Sequence, residues 1–197
     1  RREDTARNHT STHLVHAALR QVLGTHVRQA GSYVAPDKLR FDFTHPQPVT
    51  KKEMKLVQKL VNEKIRANAS VQSSEDEYTQ AIERGALAFF GDKYEQKVRL
   101  VEIANGATFS FEVCGGTHVR STGEIGSVYI LSEQSIGSGI RRLEAVSGRA
   151  SEEIAWDVLQ TQEKVSQLLK ISTNEIEDRI EKLVEEITQL RRRTEDV

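Results

Sequence analysis

Hydrophobic residues recur with a helical period near the start of the chain. Over residues 5–23 they are spaced by three or four positions, at Leu14, Ala17, Ala18 and Val22. Gly24 then stands where a helix C-cap is expected. We therefore predict a first helix over 5–23, on which His9, His13 and His16 share one face.

Alternation with a period of two predicts strands in the next part of the chain. Apolar and polar residues alternate over 39–44, and a Pro-Asp pair separates this run from a β-prone run over 25–35. We therefore predict a hairpin. A capping box of Thr50 and Glu53 then starts a helix that is predicted to end near Ala67.

The clearest hairpin is built around Asn105-Gly106, a dipeptide that favours a tight turn. Its second strand leads directly into Cys114. A helix is predicted over 75–90. Strands are predicted over 70–73, 98–103, 108–113, 126–133 and 139–146.

The pattern becomes entirely helical from about Ser151. Ser172 and Glu175 form a second capping box. The apolar residues after it step by four and three positions, at Ile176, Ile180, Leu183, Ile187 and Leu190. This heptad seam favours a helical hairpin or a coiled-coil partner. We therefore predict an α+β fold over 1–148, an antiparallel sheet packed with helices in a two-layer sandwich, followed by a helical segment over 149–197.

Composition and charge narrow the class. The chain has 197 residues and no apolar run near 18 residues, so no transmembrane span is expected. A single cysteine allows no intrachain disulfide and fits a reducing compartment, which indicates the cytoplasm. Residues 151–197 are acidic, which leaves a mildly basic body that permits a nucleic-acid partner. The sole methionine is Met54, so we expect a fragment of a longer protein.

Two spaced pairs of side chains carry the candidate chemistry. His9 and His13 lie four residues apart on the predicted helix, and Cys114 and His118 repeat that spacing after the hairpin. Imidazole nitrogen and thiolate sulfur are ligands that Zn²⁺ prefers, and four of them match its tetrahedral coordination. The sequence therefore predicts a zinc site formed by these four residues. His16 is expected to have a supporting or surface role, while His26 and His45 show no pairing pattern.

The residues alone leave the chemistry of this site open. Thr10 stands where a zincin protease has its glutamate, so that class is excluded. A metal-free Cys–His nucleophile is possible, with Cys114 attacking. Four protein ligands are typical of structural zinc, whereas a catalytic zinc keeps an open position.

Longer motifs resemble a known family. The segments His9-Thr-Ser-Thr-His13, Cys114-Gly-Gly-Thr-His118-Val and Thr122-Gly-Glu-Ile-Gly126, with the glycine-rich segment 135–148, resemble the editing domain of alanyl-tRNA synthetases. Free-standing trans-editing proteins and the threonyl-tRNA synthetase N-terminal editing domain share the two metal pairs. The helical tail is similar to the linker that leads to the family's dimerisation region.

The resemblance implies hydrolysis of the ester in tRNA(Ala) that carries serine or glycine. It implies zinc bound by His9, His13, Cys114 and His118, and a pocket glutamine at Gln29. It leaves open whether the zinc is catalytic or the chain is a tRNA-binding module with structural zinc. The aminoacylation motifs of the family are absent from this sequence, so the synthetic site is expected outside it.

The glycine-rich segment is the candidate contact for the tRNA acceptor end. Gly137 and Gly139 would allow close approach, and Arg141 and Arg142 would pair with phosphate. The helical tail is the candidate surface for self-association.

Overall fold

The computed structural model describes residues 1–89 and 95–195. They form two compact units, Arg1–Ser151 and Glu152–Val197. The helices are α1 (Arg2–Leu23), α2 (Lys51–Arg66), α3 (Tyr78–Glu83), α4 (Arg149–Leu169) and α5 (Ile176–Glu195). The strands are β1 (Gln29–Val34), β2 (Leu39–Thr44), β3 (Ser70–Glu77), β4 (Lys97–Asn105), β5 (Ala107–Val113), β6 (Val128–Gly137) and β7 (Ile140–Ser147). This confirms the predicted α+β class.

A four-stranded antiparallel sheet, ordered β1-β2-β7-β6, carries the larger core. The alternation in β2 has the predicted effect, because Leu39, Phe41 and Phe43 are fully buried. Helices α1 and α2 contribute the other side of this core, and α1 also contributes residues with buried polar side chains. The sheet and α2 thereby pack against the middle of α1, from Ala6 to Leu19.

Helix α1 buries polar as well as apolar residues, and half of its buried side chains are polar. Three hydroxyl groups on this helix bond to carbonyls four residues earlier, from Thr10 to Ala6, from Ser11 to Arg7 and from Thr12 to Asn8. These bonds satisfy hydroxyls that burial would otherwise leave unpaired. The helix can therefore bury His13 and partly bury His9 beside polar neighbours.

A second, three-stranded antiparallel sheet, ordered β3-β4-β5, delivers the other half of the site. Gly106 has a φ of 75° in the tight turn between β4 and β5, a conformation that glycine adopts without strain. Strand β5 ends at Val113, so Cys114 leaves the sheet at its edge.

The structure corrects three sequence predictions. Residues 75–77 continue β3, and the following helix ends at Glu83, while position 90 lies outside the described residues. The first strand begins at Gln29, because 25–28 form a turn and an irregular segment. The strands form two sheets where one was expected. Propensity failed at 75–77, where pairing with β4 holds charged residues in a strand.

The helical unit exposes much of its apolar stripe. Ser172 and Glu175 form the predicted capping box before α5. Ile180, Ile187 and Leu190 of the heptad seam are exposed, as is Trp156 on α4. Among the described residues, no helix is long and apolar enough to span a membrane.

Candidate metal centre

Four side chains from two distant parts of the chain meet in one cluster. His9 and His13 lie one turn apart on α1, and Cys114 and His118 flank the glycine pair after β5. Their ligand atoms all lie within 4.8 Å of one another. Cys114 Sγ is 3.4 Å from His9 Nε2 and 3.4 Å from His118 Nε2. Tetrahedral zinc with ordinary bond lengths would separate such atoms by about 3.5 Å. The four predicted ligands are therefore together, at a spacing that fits zinc.

An unpaired ring nitrogen of His13 is the strongest indication that the cluster binds a metal. Its Nδ1 is 2.8 Å from Glu112 Oε2, whereas its buried Nε2 has no hydrogen-bond partner among the described residues. A buried nitrogen without a partner costs free energy unless an ion or water satisfies it. Because the ionised carboxylate needs a donor, His13 keeps a proton on Nδ1, so Nε2 is the nitrogen that would lose its proton and bind a metal.

Thr10 orients His118 in a similar way. Its hydroxyl donates to the Ala6 carbonyl at 2.9 Å and accepts the Val119 N–H at 3.2 Å. The remaining lone pair faces His118 Nδ1 at 3.3 Å, so that nitrogen is the donor. His118 therefore directs an unprotonated Nε2 toward Cys114.

Glu112 is a fully buried carboxylate directly behind the cluster. It accepts from His13 Nδ1, from His16 Nδ1 at 3.0 Å and from Ser110 Oγ at 3.0 Å. Burial alone would raise the pKa of Glu112, but the His13 and His16 N–H groups hold it well below its usual range. In turn, burial opposes the charge on His13, but Glu112 and Cys114 raise the pKa of His13 to about 10.

The electrostatic environment favours a thiolate at Cys114. Burial would raise the pKa of this thiol, but the neighbouring imidazoles of His118, His13 and His9 lower it to about 3. A thiolate is the form of cysteine that binds metal. Zn²⁺ with one thiolate and the nearby Glu112 carboxylate would give the site no net charge, which suits a buried location.

The glycine pair is needed for the loop to pass His9. A Cβ on Gly116 would lie 1.8 Å from His9 Cε1, whereas a Cβ on Gly115 would meet no atom within 4 Å. The Gly116 carbonyl accepts from Arg99 Nη1, and Arg99 Nη2 donates to Ser73 at 2.9 Å. The Arg99 carbonyl accepts the Cys114 N–H at 2.9 Å. Arg99 therefore holds the metal loop against β3 and β4.

A pocket of about 460 Å³ opens beside the cluster. Three of the four candidate ligands line it, with Gln29, Ser32, Lys97 and Arg99 among the polar residues of its wall. Gln29 Nε2 donates to Ser32 Oγ at 3.1 Å, which orients the amide at the mouth. The pocket thus places an amide, two cationic side chains and the metal ligands around one space.

The other predicted residues lie elsewhere. Gly137 and Gly139 flank the turn between β6 and β7, where Gly139 has a φ of 70°. Arg141 pairs with Glu133, and Arg142 forms a bidentate pair with Asp42 at 2.7 and 2.8 Å. Both guanidinium groups therefore already have carboxylate partners. Their contact with tRNA stays a prediction.

Three further histidines lie outside the set of four candidate ligands. His16 is fully buried, so the surface role considered for it is wrong. His26 and His45 do pair, with His26 Nε2 2.9 Å from His45 Nδ1 on an exposed surface. Sequence spacing missed this contact because a strand hairpin brings the two residues together.

Sequence reasoning also missed Glu112, Thr10 and Arg99. A signal for Glu112 was present, since it stands two residues before Cys114 and an extended chain directs residues two apart to the same side. No comparable signal existed for Arg99, because its role depends on the approach of a loop carbonyl 17 residues later.

Comparison with known proteins agrees with the geometry. Residues 98–144 match the family described as the threonyl and alanyl tRNA synthetase second additional domain. The alanine–tRNA ligase of Chlorobium phaeobacteroides is 50% identical over 175 residues, which cover 88% of this chain and 19% of that protein. The alanine–tRNA ligase of Thermus thermophilus is 46% identical over 200 residues, which cover 100% of this chain and 23% of the relative.

The chain spans about one fifth of the length of these relatives. The family match contains both Cys114 and His118, and the relatives extend over most of the described residues. Residues 98–144 are thus similar to the second additional domain of the threonyl and alanyl tRNA synthetases, and most of the chain is homologous to one segment of the alanine–tRNA ligases.

Proposed function

We propose that this chain is an editing module that hydrolyses the ester of tRNA(Ala) mischarged with serine or glycine, in the cytoplasm. The observation that carries the proposal is the convergence of His9, His13, Cys114 and His118 beside an open pocket. The homology to alanine–tRNA ligases supports the tRNA substrate.

The chain's own residues would bind and orient the ester. Gln29 offers an amide donor and an acceptor at the pocket, within reach of a bound aminoacyl group. Lys97 and Arg99 give the same pocket two cationic side chains that suit a terminal phosphate, beside the carboxylates of Glu95 and Glu112. Zinc, held by the four ligands, would supply a Lewis acid that polarises the ester or orients the substrate.

A tRNA-binding module with purely structural zinc is the second candidate. It is favoured by the number of ligands, because four Cys and His ligands are typical of closed structural sites. The two candidates make different predictions for one sample. The structural candidate predicts that chelation unfolds the protein and that deacylation is absent from the start.

The test measures hydrolysis of Ser-tRNA(Ala) together with the zinc content of the same preparation. We expect stoichiometric zinc and faster hydrolysis than in buffer, with the acceleration lost in Cys114→Ala and Gln29→Ala. Lys52→Ala, on the exposed face of α2, is the matched control and should retain activity. Zinc without acceleration would favour the structural candidate, while acceleration without zinc would favour a Cys114 nucleophile.

The proposal includes two partners. The turn at Gly137 and Gly139, with Arg141 and Arg142, would contact the tRNA acceptor end, where phosphate must compete with the carboxylates that now hold both arginines. The exposed heptad stripe of α5 would support self-association. Sedimentation of wild-type and Ile187→Lys proteins tests the second contact.

A further inference from the structure

His16 is a buried histidine that is not one of the four candidate metal ligands. It lies on α1, three residues after His13, and its side chain is fully buried. Its ring packs against Phe41 and Phe89, with centroids 5.2 and 4.8 Å away. Burying an imidazole costs free energy unless its polar atoms are satisfied, so its one strong hydrogen bond requires an explanation.

That hydrogen bond joins His16 to the carboxylate behind the cluster. His16 Nδ1 is 3.0 Å from Glu112 Oε1, while Glu112 Oε2 is 2.8 Å from His13 Nδ1. Each histidine thus occupies a different oxygen of one carboxylate. His16 Nε2 has no hydrogen-bond partner in the described part of the chain, so His16 makes its hydrogen bond through Nδ1.

The arrangement fixes the orientation of the carboxylate. With His16 and Ser110 both on Oε1, the second oxygen is directed at His13. An ionised carboxylate only accepts, so His13 must donate from Nδ1 and leave Nε2 free on the side of Cys114. If His16 could not donate, the carboxylate would keep only the Ser110 contact on Oε1 and could rotate away from His13.

We propose that His16 is a positioning residue of the metal centre, which acts through Glu112 to hold His13 in the orientation and tautomer that bind zinc. This inference rests on the proposed zinc site. His16 does not line the pocket beside the cluster, so its effect reaches that site through the carboxylate. Partners of this kind typically affect metal affinity by about 10- to 100-fold.

Two amide substitutions separate the hydrogen bond from the volume of the ring. In His16→Asn the amide nitrogen occupies the place of Nδ1 and can still donate to Glu112. In His16→Gln the amide reaches the place of Nε2 and leaves Glu112 without this donor. We expect His16→Gln to weaken zinc binding by about tenfold, and His16→Asn to bind nearly as well as the wild-type protein. Affinity is measured by competition with a chromophoric chelator.

A double substitution tests the route of the effect. If His16 acts through Glu112, His16→Gln should change the zinc affinity little when Glu112→Gln is already present. His26→Gln, at an exposed histidine outside the cluster, is the control for the loss of an imidazole. His16→Phe, which fills the aromatic site without a donor, replaces His16→Gln if that protein fails to fold by circular dichroism.

The outcomes distinguish the inference from the proposed function. Equal weakening by Asn and Gln would assign His16 a packing role, and an undiminished effect in the Glu112→Gln protein would exclude the route through the carboxylate. Either result overturns the inference while the zinc site stands. A wild-type protein that binds no zinc would overturn both the site and the inference.

Discussion

Two carboxylates in the same compact unit have opposite kinds of partner. Glu112 is buried behind the metal cluster and is held by two histidines and a serine. Asp42 lies on β2 of the four-stranded sheet, is also buried, and accepts from two nitrogens of the Arg142 guanidinium, Nε and Nη2. One carboxylate is paired with groups that can lose a proton, and the other with a permanent cation.

The difference explains what each region can do. The bidentate pair satisfies both oxygens of Asp42, while the buried Nε of Arg40, 3.9 Å from Asp42, has no hydrogen-bond partner among the described residues. The His13–Glu112 pair leaves a buried Nε2 without a partner. The two regions therefore differ in the kind of atom left unsatisfied, because an imidazole nitrogen beside Glu112 can bind a metal once deprotonated, whereas a guanidinium nitrogen beside Asp42 can only donate.

The largest expected effect is that of Gly116→Ala. A Cβ there would meet the His9 ring at 1.8 Å, so either His9 or the loop with Cys114 must move. We expect zinc affinity to fall by about 100-fold or more, since a ligand itself is displaced. Gly115→Ala is the matched control, because its Cβ would enter open space. Equal affinities of the two variants in a chelator competition would contradict this account of the loop.

Glu112→Gln should have the next largest effect. Without the carboxylate, the Nδ1 proton of His13 loses its charged hydrogen-bond acceptor. Zinc affinity should therefore fall by about 10- to 100-fold. Asp42→Asn is the counterpart in the other region. It should lower the melting temperature while zinc affinity stays the same, and a shared loss of zinc affinity would remove the distinction between the two carboxylates.

The same pair of variants makes a prediction about protons. Burial disfavours a charged His13, but Glu112 raises the pKa of His13 above neutrality in the metal-free protein. Zinc must then displace a proton at pH 7, and removing the carboxylate lowers that pKa toward its ordinary value. Fewer protons should be released on zinc binding to Glu112→Gln, as measured by calorimetry in buffers of different ionisation enthalpy.

Arg99 is a permanent cation that supports the loop of the metal cluster, and its replacement tests that support. Arg99→Met removes the donors to the Gly116 carbonyl and to Ser73, so the loop should be held less firmly. We expect zinc affinity to fall by about tenfold or less, and Arg66→Met, at the exposed end of α2, to have no effect. An unchanged affinity in Arg99→Met would show that the backbone bond of Cys114 suffices.

The sequence predicted the cluster of four candidate ligands better than its environment. His9, His13, Cys114 and His118 were identifiable because the spacing of each pair and the preference of zinc for these atoms are local properties. The elements that carry them were also predictable, since α1 has a helical period and β4–β5 has an Asn-Gly turn. The sole cysteine made the second pair specific.

The supporting residues could not be predicted in the same way. Thr10, Glu112 and Arg99 act through contacts between elements that are far apart in sequence, and no period or motif encodes those contacts. The prediction of a helix at 75–77 was wrong for the same reason, because pairing with β4 overrides the propensity of the acidic residues there. Local patterns predict ligands, whereas tertiary packing decides which neighbours orient them.

The smallest expected effect concerns a third carboxylate, Glu53, which has a purely local role. Its Oε2 accepts from the Thr50 N–H and hydroxyl at the start of α2, and these bonds lower the pKa of Glu53. Thr50→Ala should cost about 1 kcal/mol of unfolding free energy, the usual value for a lost N-cap, and should leave zinc affinity unchanged. Denaturant unfolding at pH 7 measures the first quantity.

The pH dependence of that contribution has a definite sign. A carboxylate whose folded pKa is lowered stabilises the fold above its unfolded pKa, near 4, and loses this contribution as pH falls through the folded value. The stability difference between wild type and Glu53→Gln should therefore be present at neutral pH and shrink at acidic pH. If the difference persisted in acid, Glu53 would act through packing. If zinc affinity also changed, the helix cap and the metal cluster would be coupled, and Glu53 would not have a purely local role.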